Sequence, residues 1–165
     1  MQSLNTIITA PLRLLGEYEI EVVIIGGWPQ LSLARPSLRM ILTSVTPVLL
    51  KNLEKLASAL QSVHAHLRGV PDSVPFLLDA ETLRKELNFT FITDIGSLDL
   101  LGEVRGVGGY DDVLDGSVTY ELFGYRFPVI ETGKLILAKR AAGRPKDLIA
   151  IPELEAIQER QSIEG

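Results

Sequence analysis

The stretch that most constrains this chain is Val22-Val23-Ile24-Ile25 running into Gly26-Gly27. A short unbroken apolar run rich in β-branched residues reads as a buried strand over residues 20–25, and a buried strand requires a sheet around it. Paired glycines at a strand end let backbone approach a ligand closely. The residues around this edge are unusual for such a place. From Val22 through Leu53 there is no Asp or Glu, so no carboxylate stands near the glycines in sequence.

The remaining pattern supplies the partners of that strand. Residues 4–18 space Ile7, Ile8, Leu12, Leu14 and Leu15 as an amphipathic helix despite Pro11. Residues 28–36 suggest a short helix weakened by Pro29 and Pro36, and residues 37–45 a strand. Residues 49–67 are the strongest helical pattern, with Leu50, Leu53, Leu56, Ala57, Leu60, Val63 and Leu67 expected on one face. That pattern contains His64 and His66, which two-residue spacing on a helix turns to different faces. They read as partly exposed helix-end residues rather than metal ligands. Residues 68–76 are a loop punctuated by Gly69, Pro71 and Pro75, after which Asp79 caps a short helix. Two hairpins come next, turning at residues 94–97 and at Phe123-Gly124, with a loop and short helix between them. The chain ends in two helices split by Gly-Arg-Pro-Lys-Asp, residues 143–147.

Helices followed by runs of strands predict an α+β domain with a mixed sheet covered by helices on one side and a C-terminal helical pair. At 165 residues, 46% apolar and 22% charged, one globular domain is expected, over residues 1–160 with a frayed tail at 161–165. A net charge of −5 argues against a broad basic face for nucleic acid, and no DNA-binding motif is present. The absence of cysteine excludes disulfides and thiolate chemistry and fits a reducing cytoplasm. No apolar run approaches the roughly 18 residues of a membrane span. The first residues lack a signal-peptide pattern.

Three groups of residues could carry chemistry. Asp99 lies between Leu98 and Leu100 on a predicted strand, so alternation sets it on the face opposite both leucines. Asp94 is accounted for by turn chemistry. Lys139, Arg140, Arg144 and Lys146 form a dense cationic cluster able to grip phosphate, and the same residues suit a helix C-terminus capped by Gly143.

Taken in order, the blocks EVVIIGGW, NFTFITDIGSLDLLGEVRGVGGYDDVL, VTYELFGYRFPVI and KLILAKRAAGRPKDLIAIPELEAI resemble small bacterial nucleotidyltransferases of the DNA-polymerase-β-like superfamily. The branch in question includes nucleotidyltransferase toxins of type IV toxin–antitoxin systems. The resemblance spans residues 20–157 and is most specific at AKRAAGRPKDL. It implies a mixed sheet, Mg²⁺ and an NTP as cofactor and substrate, and transfer of NMP to a hydroxyl of RNA or protein. It also implies a nucleotide, tRNA or other RNA, or a cognate antitoxin as partners. Carried over by position, Gly26 and Gly27 match the glycine pair and Asp99 the third metal carboxylate, while Lys139, Arg144 and Lys146 match the nucleotide-binding cations. The family's Asp-x-Asp falls on Ile41 and Thr43, neither of which is a carboxylate. The polypeptide is therefore expected to be a catalytically impaired or inactive pseudoenzyme, or a binding module that outlived its chemistry.

The genetic code supplies a reason for the loss. Read one base earlier, Met40-Ile41 yields the Asp codon GAT, and Leu42-Thr43 can yield GAC. Continued with allowed codons, the segment from Arg39 becomes Asp-Asp-Leu-Asp-Ile, with aspartates at positions 41 and 43 and isoleucine at 44. Residues 29–50 thus read as a frameshifted copy of the expected motif.

Overall fold

The computed structural model describes residues 4–26, 41–86 and 88–164. The short helix expected at residues 28–36, the start of the strand expected from residue 37, and Gly27 lie outside the described residues. The first helix, α1, is Leu4–Glu17, and it leads to strand β1, Val23–Gly26. Strand β2 is Ile41–Val45 and helix α2 is Leu50–Ser62. A two-residue strand β3, His66–Leu67, and helix α3, Ala80–Lys85, precede the hairpin of β4, Asn88–Thr93, and β5, Gly96–Leu101. A small ribbon of β6, Glu103–Val104, and β7, Gly108–Gly109, leads into α4, Tyr110–Leu114. The second hairpin pairs β8, Val118–Leu122, with β9, Tyr125–Val129. Helices α5, Thr132–Ala142, and α6, Pro145–Glu164, close the chain.

Among the described residues, seven strands form one sheet in the order β3-β4-β5-β2-β1-β9-β8. The β2–β5 and β1–β9 pairs are parallel and the others antiparallel. The expected α+β mixed sheet with a C-terminal helical pair is therefore present. Cover on one side only is not. Alternation along β1 divides its residues between two cores: Val22 and Ile24 pack with α1, α2 and α3, while Val23 packs with Val45, Val104, Val113 of α4 and Ala138 of α5. An apolar run without alternation already demands burial on both faces.

Local chemistry explains most boundaries. Helix α2 turns Leu53, Leu56 and Leu60 to the first core. Its buried Asn52 clamps the chain entering β1, accepting from Glu21 N–H at 2.7 Å and donating to Glu21 C=O at 3.0 Å. The helix stops at Ser62, short of the expected residue 67, because Val63 is its cap and His64 turns left-handed at φ 51. His66 and Leu67 then pair with Ile92 and Phe91, so the two histidines are not on a helix. Asp79 caps α3 through Thr82 N–H at 2.8 Å, as expected. Phe123 at φ 54 and Gly124 at φ 85 form the two-residue turn that right-handed strand twist favours. Gly143, at φ 65, ends α5 by donating to Lys139 C=O. Helix α6 continues past residue 160 to Glu164, where a frayed tail is expected from sequence. Phe91 is fully buried and stacked on Phe89 at 5.5 Å between ring centres.

Candidate functional site

Strand register assembles the site. Gly26 of β1 is opposite Thr43 of β2, Thr43 is opposite Asp99 of β5, and Asp99 is opposite Thr90 of β4. These four residues make one row across four strands, and with strands about 4.8 Å apart Gly26 and Asp99 are separated by roughly 10 Å. Ile41 sits two residues before Thr43 on β2, opposite Ser97. The positions that the sequence resemblance assigns to the glycine edge and to three metal carboxylates are thus neighbours on adjacent strands. The row lies on the sheet face that carries Val23 and Val45, the face that α5 packs against through Ala138.

Leu98 and Leu100 are buried in the core behind, which fixes Asp99 on this face. Asp99 is half-buried, and its Oδ1 is shut off from water with no hydrogen-bond partner among the described residues. Buried carboxylate oxygens are ordinarily paired, because leaving one unpaired costs its hydration. One other side-chain atom shares this condition: Ser44 Oγ, on a fully buried residue next to Thr43 and facing the opposite core.

Among the described residues, an added Cβ at Gly26 would meet nothing within 4 Å. Beside Gly26 opens a cleft of about 660 Å³, which no pattern in the sequence reveals. Its walls are mainly apolar, including Ile24, Ile25, Leu42, Tyr120, Leu135 and Ile157. Two contacts within the protein occupy some of its polar groups: Thr132 Oγ1 donates to Gln161 Oε1, and Glu131 accepts from Gly133 N–H.

The cationic cluster is built around an anion. Asp147, 3% exposed, accepts from Arg144 Nε at 2.6 Å and Nη2 at 3.4 Å, and from Lys139 Nζ at 3.5 Å. Burial pushes its carboxyl up, but the Arg144 hydrogen bond and charge, with Lys139 beside them, outweigh burial and hold it below the usual carboxylate range. Arg140 pairs with Glu155. Lys146 is exposed and makes no ion pair among the described residues. The turn is therefore a staple between α5 and α6, and two of its expected phosphate ligands have their charge answered by Asp147.

Magnesium is usually held by one or two carboxylates together with waters and substrate phosphates, and the resemblance implies three carboxylates shared by two ions. Of those three positions only Asp99 supplies a carboxylate, so the residues present do not fit a two-metal site. Among the described residues, no three His, Cys, Asp or Glu side chains gather into a group able to hold a metal. No described helix is long and apolar enough to cross a membrane. Compared with protein families and with curated proteins, the chain matches none.

Proposed function

We propose that this chain is a cytoplasmic nucleotidyltransferase-like protein of the DNA-polymerase-β-like kind whose metal-binding aspartates have been lost. Its ancestral reaction is NMP transfer from an NTP to a hydroxyl of RNA or protein. In its present sequence it holds a nucleotide or RNA end without transferring it. The observation that carries this reading is the row Gly26–Thr43–Asp99, in which a strand-end glycine and an orphaned carboxylate flank a position lacking the acid that two-metal chemistry requires.

The two unpartnered buried atoms support the frameshift account. The shifted reading places Asp at 43, beside Asp99, and Ile at 44, where the present serine buries a hydroxyl with no partner. Both anomalies border the same short segment: Ile at 44 removes the buried hydroxyl, and Asp at 43 sets a second carboxylate beside Asp99, a pair that a bridging cation would satisfy. Sequencing the gene tests this point: codons for residues 39–44 that cannot encode Asp-Asp-Leu-Asp-Ile one base earlier would refute it.

The function is tested by incubating the protein with labelled NTPs, Mg²⁺ and total tRNA, alongside a version carrying the Asp-Asp-Leu-Asp segment. Label transfer by the restored version alone is expected, with nucleotide binding by both. Transfer by the unaltered chain would overturn the assignment.

A further inference from the structure

The two ends of the seven-stranded sheet are guarded unequally. At one end β3 is two residues long, a length that offers little for another chain to pair with. At the other end β8 presents five residues, with Val118 47% and Tyr120 48% exposed and no proline, lysine or bulge. Its single charge, Glu121, is opposite Arg126 on β9.

The hairpin register shows which backbone groups of β8 lack a strand partner among the described residues. Leu122 and Tyr125 flank a two-residue turn and form a hydrogen-bonded pair, so the alternation of an antiparallel ladder makes Tyr120–Phe127 and Val118–Val129 hydrogen-bonded as well. Thr119–Pro128 is then a non-bonded pair, the position where a proline without N–H costs nothing. The N–H and C=O groups of Thr119 and Glu121 consequently point outward. The turn and β9 strand that carry β8 are packed against α1. The Tyr125 ring lies so close to α1 that a Cβ on Gly16 would be 2.4 Å from it, and Arg13 stands 5.9 Å over the Phe123 ring.

We propose that β8 is a homodimer edge, pairing antiparallel with β8 of a second copy about a two-fold axis at Tyr120. In that register Thr119 of each chain meets Glu121 of the other, and the outward N–H and C=O groups of both residues are all satisfied. Chemistry matches on both faces. Val118 meets Leu122 and Tyr120 meets Tyr120 on the apolar face. On the polar face Glu121 lies between Arg126 of its own chain and the hydroxyl-bearing Thr119 of the other; the two Glu121 side chains are diagonal across the axis, each beside its own Arg126. A second copy is favoured over an unrelated strand because one symmetric register satisfies the outward hydrogen-bonding groups and pairs the apolar residues together, with each Glu121 already answered by its own Arg126.

The chain has no cysteine, which allows a test of register. Across a non-bonded antiparallel pair the Cα atoms are about 4.5 Å apart, within disulfide reach, whereas two residues at 119 are offset beyond it. Under mild oxidation Tyr120→Cys is expected to form the intermolecular disulfide about tenfold faster than Thr119→Cys. Thr119→Pro, which removes an outward N–H and leaves the bonds to β9 intact, is expected to convert the dimer seen by analytical ultracentrifugation into a monomer with unchanged circular dichroism. Equal crosslinking by the two cysteine variants would overturn the proposal. So would a wild-type protein that remains monomeric at every concentration, the outcome expected if the edge instead serves a strand from another protein.

Discussion

Asp99 and Asp147 are treated in opposite ways by the same fold. Asp147 is almost wholly buried, and both of its oxygens are taken by cations that pin the α5–α6 turn. Asp99, with one oxygen out of water and unpartnered, is flanked by two threonines, and no ion pair reaches it among the described residues. A carboxylate kept for stability acquires partners, whereas one kept without them weakens the fold it sits in. Departures of this kind from polar satisfaction are expected at functional sites. On the function proposed above, Asp99 is the residue inherited from a site, whereas Asp147 is part of the scaffold.

The largest test of that difference is Asp147→Asn. It leaves two partly exposed cations without their carboxylate and is expected to cost about 2 kcal/mol at pH 7 by urea denaturation, since hydrogen bonds to charged groups contribute roughly that much. Because the folded carboxyl titrates below its unfolded value, its stabilisation is complete above the unfolded pKa of about 3.9 and is lost as pH falls through the folded value. The stability gap between wild type and Asp147→Asn should accordingly shrink below about pH 4. A gap that persists unchanged at lower pH would show that geometry rather than charge is responsible.

Ser44→Ala comes next and should act in the other direction. Removing a buried hydroxyl that has no partner is expected to stabilise by about 1 kcal/mol, read as a rise in the urea midpoint. A loss of stability would mean the hydroxyl has a partner in solution. Smallest is Asp99→Asn, expected within about 0.5 kcal/mol of wild type because no native partner is broken. A cost matching that of Asp147→Asn would erase the contrast between the two carboxylates.

Much of the fold is legible in sequence where local chemistry decides. The Asp79 cap, the Phe123-Gly124 turn, the Gly143 stop and the position of Asp99 opposite its leucines are each set by a few adjacent residues. Long-range effects are not legible in this way. The end of α2 at His64 depends on His66 and Leu67 finding β4, a pairing that helical periodicity cannot anticipate. The cation cluster looks open in sequence because nothing in the spacing of Lys139 and Arg144 reveals that Asp147 folds in between them. Asn52 carries no motif, and its role as a clamp on Glu21 exists only once α2 lies against β1. The row Gly26–Thr43–Asp99 arises from parallel pairing of β2 with β5, which sequence order alone leaves undetermined.

If the strand positions of a metal site persist while its donors are gone, restoring the donors should restore the ion. Calorimetric titration with Mg²⁺ tests this most directly, comparing wild type with the folded double variant Ile41→Asp, Thr43→Asp. Saturable binding is predicted for the double variant, abolished by adding Asp99→Asn, and none for wild type. Saturable binding by wild type that disappears with Asp99→Asn would contradict the loss of the site.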